Sequence, residues 1–367
     1  RSAEYSNKPP LKGFVGQSIQ VLVEVKLTGD ALELQKVPGY TKVPSTYSDG
    51  VLVDRYGIPG SKDLSKYFTI NTPAGGVWAV MTCGEMYQGD TKLHLYIIGT
   101  PTTVCENVPL EMTISGDILA SGEDLTVTEK DTVCWNIRAS ATGVDFDNIR
   151  TAEEFAKAFG GEEYATVTGD TVTLQKDALM EKTTTMTGDF TIDLNGHSLY
   201  YGHAKNPGLY SGAGKQTIRG GSANGAVNYV HNSIIVTGGE LTLEQMRAGF
   251  VHVKKGTLHM NETTASAVDV TGGFAEASDS KLGFAVVDGT GDLTLRKTEI
   301  TKDSATSLRV NGGKVSIKDG TQIPCIVLVT GGEVQIDGGT FSGYEGHWLQ
   351  QTGGLVSVNN GNLTGTM

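Results

Sequence analysis

SLRVNGGKVSI, residues 307–317, sets hydrophobic side chains at alternate positions, breaks on a Gly-Gly pair, and then resumes the alternation. The same form recurs as SIIVTGGELTL (233–243), FVHVKKGTLHM (250–260), SAVDVTGGFAEA (266–277), AVVDGTGDLTL (285–295), IVLVTGGEVQI (326–336) and WLQQTGGLVSV (348–358). The last glycine of each break falls at Gly239, Gly256, Gly273, Gly291, Gly313, Gly332 and Gly354, a spacing of 17 to 22 residues. Self-similarity at that period is the signature of a solenoid.

Aligned on that glycine, the phrases sort into columns. Four residues before the Gly-Gly stand Ile234, Val251, Val268, Leu308, Val327 and Leu349; two residues after it stand Leu241, Leu258, Ala275, Leu293, Val315, Val334 and Val356. The positions between columns are mostly polar, among them Thr242, His259, Glu276, Ser316 and Gln335. Period-two alternation on both sides of a glycine corner predicts two short strands per repeat, each with one face in and one face out. One repeat cannot bury its apolar face alone, whereas stacked repeats build a continuous core, so the stretch is expected to form a parallel β-helix. At a strand spacing of roughly 4.8 Å, seven phrases make a rod on the order of 35 Å long. The fourth phrase is one residue out of register at Val287 and Asp288, which is read as a β-bulge.

Composition fits this picture. The 367 residues are 38% hydrophobic and include 49 Gly but only 10 Pro, as many tight turns without collagen-like character would require. No apolar run reaches the ~18 residues of a membrane span, so no membrane insertion is expected. RSAEYS at the start lacks a charged segment followed by an apolar one, so the chain is taken as mature or as a fragment. A formal charge of −12 excludes nucleic acid as an expected partner, because its binding relies on phosphate neutralisation by Lys and Arg. Cys83, Cys105, Cys134 and Cys325 are too scattered for a disulfide framework and lack metal-ligand spacing, so buried thiols are expected.

Residues 1–138 carry no Gly-Gly period. Longer alternating segments replace it, at 18–27, 31–37, 67–70, 77–83, 92–98, 110–114, 125–128 and 133–137, separated by turns such as Thr28-Gly29-Asp30 and Gln88-Gly89-Asp90. Strands at that spacing predict an antiparallel β-sandwich of immunoglobulin-like size. GQSIQVLVEVKLTGDAL, YIIGTPT, LEMTISGDILASGEDLTVT and CWNI resemble a β-sandwich module of cell-surface proteins from Gram-positive gut bacteria. That resemblance covers most of residues 12–138 and implies an extracellular, cell-surface or cell-wall location.

Residues 139–150 read as a linker. A helix is expected over 151–159 (TAEEFAKAF), with Thr151 as N-cap, Glu154 completing a capping box, and Gly160 and Gly161 ending it. Such a short helix needs tertiary packing, and the open end of the solenoid is the expected surface. The helix, the strand that follows and IDLNGHSL (192–199) resemble the N-terminal start of right-handed β-helices of the pectin-lyase-like superfamily in bacterial surface proteins. The resemblance spans about residues 150–220, and the Gly-Gly coils carry it on to the C-terminus. Asp193, Asn195 and His197 within it have the chemistry of a tight corner rather than of a catalytic site.

The expected architecture is therefore all-β: an N-terminal β-sandwich (1–138), a linker (139–150), and a right-handed parallel β-helix with a short N-terminal capping helix (151–367). Resemblance to polygalacturonases would call for an Asp-Asp pair and a Gly-His-Gly turn, and neither occurs. The outward column beside the corner valines holds Ile235, His252, Asp269, Arg309, Leu328 and Gln350. Asp269 near Asp288, with His252 and Arg309, is the one constellation that could serve glycoside cleavage, which needs two carboxylates about 5 to 10 Å apart. Serine-hydrolase, zincin and nucleotide-binding signatures are absent, and no metal or cofactor is expected. An ice-binding face would need unbroken threonine ladders, which the varied outer columns do not supply.

Two insertions offer a binding surface instead. Residues 200–215 carry Tyr200, Tyr201, His203 and Tyr210, and residues 343–351 carry Tyr344, His347 and Trp348. Loops on a rigid scaffold commonly bear function, and Tyr and Trp present flat amphipathic surface to sugars or proteins. The sequence thus predicts a non-catalytic adhesin or scaffold segment that binds a glycan or a host protein, with a polysaccharide lyase or glycoside hydrolase as the alternative. Its last coil carries no cap, so further domains of the same polypeptide are expected beyond Met367.

Overall fold

The computed structural model describes residues 1–8, 11–48, 51–127, 133–139, 144–158, 163–180, 182–201, 208–225, 233–301 and 306–365. The chain divides into two compact units, Arg1–Ser140 and Ala141–Met367.

In the first unit, alternation in IQVLVEVKLT makes the central strand Ile19–Thr28 of a four-stranded antiparallel sheet. Val21, Val23 and Val25 stand opposite Ile97, Leu95 and Leu93, all of them buried. Three further sheets of three strands share the same core, where the buried Trp135 meets the half-buried Trp78 edge-on at 4.7 Å. Two local expectations fail. The alternating segment 31–37 is not a strand: Leu32, Leu34 and Val37 are buried, but the Leu34 N–H donates to the Gln88 side chain and the Val37 N–H to the Leu34 carbonyl. Its remaining backbone groups make scattered bonds to Gly89, Asp90, Ile118 and Ala120, so they are satisfied without a continuous ladder. Conversely, Thr41–Ser48 and Val51–Ile58 form an antiparallel hairpin that the alternation did not reveal. None of the four cysteines is in a disulfide; Cys325 is buried and the other three are half-buried.

In the second unit the Gly-Gly region is a parallel β-solenoid, as predicted, running from about Thr171 to Leu363. Its helix spans Ala152–Ala158. Thr151 Oγ1 accepts the Glu154 N–H, and the Glu154 carboxylate accepts from the Arg150 N–H, one residue earlier than the standard capping box provides. Phe155 is fully buried against Phe190 of the first coils, with ring centres 5.7 Å apart. Residues 144–150, read as part of a linker, belong to this unit: Phe146 and Ile149 are buried, and Ile149 bridges Met186 in parallel.

Each coil has three strands, not the expected two. The first face stacks Lys215–Arg219, Glu240–Glu244, Thr257–Asn261, Phe274–Ser278, Asp292–Arg296 and Lys314–Ile317. The third face stacks Gly208–Ser211, Ser233–Val236, residues 250–253, residues 267–270, Ala285–Val287, Leu308–Val310, Val327–Val329 and Leu349–Gln351. Between them lies a second face whose strands shorten in the later coils to two residues with one inward side chain, as in Lys281–Leu282, Glu299–Ile300 and Gln322–Ile323. The inward column Ile234, Val251, Val268, Ala285, Leu308, Val327, Leu349 is paired rung to rung and buried throughout, so the predicted hydrocarbon ladder exists.

Two corners hold the coils in step. At the third-to-first corner Gly332 takes φ +71°, and a Cβ there would lie 2.6 Å from the Gly312 carbonyl carbon and oxygen, so stacked corners approach too closely for any side chain. At the first-to-second corner the buried hydroxyls of Thr263, Ser280, Thr298 and Thr321 each donate to a carbonyl of the preceding coil, on Leu243, Met260, Ala277 and Leu295. The expected bulge is also corrected. Val287 pairs in register with Val270 and Val310, and the extra residue sits in the turn from Asp288 to Gly291. A surface turn absorbs an insertion without breaking two parallel ladders, as a bulge inside a strand would.

Candidate functional site

The three kinds of connection differ in how much they vary. Three residues join the third face to the next first face in every coil except the one with the Asp288–Gly291 turn, and two to four join the first face to the second. Connections from the second face to the third run from one residue to seven. The third-face strands reached by the long connections start at Gly208, Ser233, Leu308 and Leu349, so the strand ends that flank the long connections all lie along one edge of the third face. The connections shrink to one or two residues in the coils that start their third-face strands at Phe250, Ala267 and Ala285. In solenoids, insertions gathered on one edge commonly mark the binding side.

What lies outward on those three coils is mainly hydrocarbon. Because residues alternate along each strand, burial of Val251, Val268 and Ala285 turns Phe250, Ala267 and Phe284 outward. Burial of Val253, Val270 and Val287 likewise turns out His252, Asp269 and Val286. Phe250 is 38% exposed, one of few large apolar side chains so open on the solenoid, while Ala267, Phe284 and Val286 are half-buried. Ile235, the rung before His252, is buried. Beyond Phe284 and Val286 the two outward columns continue through Ser307, which is buried, and the exposed Arg309 to Ile326 and Leu328.

Three ionisable groups interrupt this strip. His252 Nε2 lies 3.0 Å from Thr271 Oγ1 and 3.8 Å from Asp269 Oδ2. Burial pushes the His252 imidazole below its ordinary pKa, the Asp269 carboxylate pulls it upward, and Lys254 adds to the lowering. Arg309 is exposed; its guanidinium lies over the Phe284 ring, 5.1 Å from the centroid, and donates to the carbonyl and hydroxyl oxygens of Thr306. Its partners among the described residues are neutral, and its rungs on either side are Val286 and Leu328.

The catalytic constellation weighed from the sequence is not assembled. Asp269 stands opposite Val286, not opposite another carboxylate, and Val286 separates it from Arg309. Asp288 lies in the corner turn, where its Oδ1 accepts the Gly289 N–H at 2.7 Å. Among the described residues no group of three or more His, Cys, Asp or Glu is arranged to hold a metal ion.

The aromatic residues of the two insertions fall into separate places. Tyr210 is half-buried on the third face, between Thr185 and Ile235. Tyr200 is half-buried on the second face, between Leu179 and Asn224. Tyr201 points inward and is 1% exposed. Trp348 is 3% exposed and meets Phe341 edge-on at 5.4 Å, so its ring faces belong to the core. Tyr344 and His347 pair across a tight turn, Tyr344 half-buried and His347 exposed. His203 lies outside the described residues. Tyr210 and the turn at Tyr344 are seven coils apart, roughly 34 Å at the strand spacing, and do not form one site.

Sequence reasoning found His252, Asp269, Arg309 and Leu328 but missed Phe250, Phe284 and Val286. The signal was present: an aromatic at the head of FVHV and of FAVV. Shifting the fourth phrase by one residue removed Val286 from its column and so hid the continuity of the strip. Comparison with protein families, with characterised proteins and with solved structures finds no match to this chain.

Proposed function

We propose that this chain is a non-catalytic segment of a surface protein whose third solenoid face binds a macromolecule outside the cell. One observation carries the reading: the connections are shortened to one or two residues on the three coils where Phe250, Ala267 and Phe284 face outward, and the outer strip of those coils is mainly apolar. A strand's outer face must be polar where it meets only water, so an apolar stretch spanning several coils asks for a partner. That Asp269 faces Val286, with no carboxylate opposite it among the described residues, favours binding over glycoside cleavage. Resemblance of the sandwich module and of the IDLNGHSL stretch to those of bacterial surface proteins supports the location, with glycans and host proteins as the classes of partner.

The test measures capture and turnover together on immobilised polysaccharides and extracellular-matrix proteins. The reading expects capture without released product, weakened at least tenfold by Phe250→Ser and Phe284→Ser. Release of oligosaccharide that disappears in Asp269→Ala would overturn it in favour of a hydrolase or lyase.

A further inference from the structure

The outer strip also carries information about which class of partner it fits. Saccharide sites offer many hydrogen-bonding groups beside an aromatic plane, because every buried sugar hydroxyl must be satisfied. Here the polar side chains are few, and two of them, His252 and Asp269, face each other across adjacent rungs while His252 also meets Thr271. Apart from the buried Ser307 and from Arg309, the strip consists of Phe250, Ala267, Phe284, Val286, Ile326 and Leu328, the composition of the centre of a protein interface rather than of a sugar cleft.

Arg309 supplies the second half of the argument. It stands in the ladder between Val286 and Leu328, is held against the Phe284 ring and Thr306, and has no carboxylate partner among the described residues. A cation set within an apolar strip, in a chain of net charge −12, calls for one negative group on whatever covers it. Arginine fixed on an aromatic ring loses little side-chain freedom on binding and is a frequent interface anchor. From Phe250 to Arg309 is three coils, roughly 14 Å, the reach of a peptide of four or five extended residues.

We propose that the third face binds an extended, apolar protein segment with one acidic residue, its carboxylate on Arg309 and its flanking hydrophobic side chains on Phe284 and Phe250. This rests on the reading of the third face as a binding surface and names its partner class.

A random linear peptide library displayed on phage, selected against the intact chain, tests it, with a glycan array probed in parallel. The expected result is a consensus with Asp or Glu flanked by apolar residues. Selection against Arg309→Glu should replace that acid with Lys or Arg, and Phe284→Ser should weaken the selected peptides at least tenfold. Phe250→Ser provides a second surface variant, and far-ultraviolet circular dichroism shows whether each remains folded. No consensus, or one indifferent to both Arg309→Glu and Phe284→Ser, overturns the proposal. Glycan capture lost in Phe284→Ser, with no peptide selected, overturns the partner class while leaving the third face standing as the binding surface.

Discussion

Tyr201 shows what a single residue can cost inside this fold. Its ring fills the core of the early coils, 1% exposed, and its hydroxyl has no hydrogen-bond partner among the described residues. Burial accordingly pushes its phenol pKa up. A buried hydroxyl without a partner loses its hydration and gains nothing in return, a penalty of about 1 to 3 kcal/mol. Tyr201→Phe keeps the ring and removes the penalty, so stability should rise by roughly 1 kcal/mol. Urea denaturation would show it as a higher midpoint at unchanged slope, whereas a lower midpoint would mean that the hydroxyl has a partner. The sequence could mark Tyr201 only as an aromatic in an insertion; its direction depends on the parity of Ser198–Tyr201, which becomes visible once Leu199 is paired with Ala178 and Ala223.

At the scale of an element, legibility followed strand length. First-face and third-face strands run three to five residues per coil, long enough for two inward side chains, and their columns are readable in the sequence. Second-face strands such as Glu299–Ile300 hold one inward residue, and a single point has no period. The corners were readable where glycine marks them. They were not readable where Gln245, Glu262 and Lys297 take φ of 45° to 49°, a left-handed backbone that their residue types do not advertise. A rung-to-rung ion pair on the first-face side gives this scale its prediction. The Lys318 ammonium bonded to Asp337, with further hydrogen bonds from Asn359 and Gln335, lowers that carboxyl from 3.8 to about 2. Because the folded value is depressed, the pair's contribution is complete above pH 4, fades as pH falls, and is gone below about pH 2. Asp337→Asn should therefore flatten the fall in stability between about pH 4 and 2 and leave the chain less stable at pH 7, as thermal melts across that range would show. An identical acid limb in the variant would mean that the pair contributes nothing.

For the solenoid as a whole, each coil can bury its hydrophobic side chains only against its neighbours, so stability and shape both depend on uninterrupted stacking. The same stacking keeps the outer columns straight, which is why Phe250, Phe284 and Arg309 share one strip although 59 residues separate the first from the last. Distances along one outer column test this most directly. Thr217, Thr242, His259, Glu276, Thr294, Ser316, Gln335 and Ser357 are successive rungs of the first face. Nitroxide labels on Thr217 and, in turn, on Thr294, Gln335 and Ser357 lie four, six and seven rungs apart, or roughly 19, 29 and 34 Å between backbones at the strand spacing. Pulsed electron-spin spectroscopy should return distances that grow in that order by about 5 Å per rung. Distances that fail to grow with rung number would contradict the stacked solenoid and, with it, the binding strip it aligns.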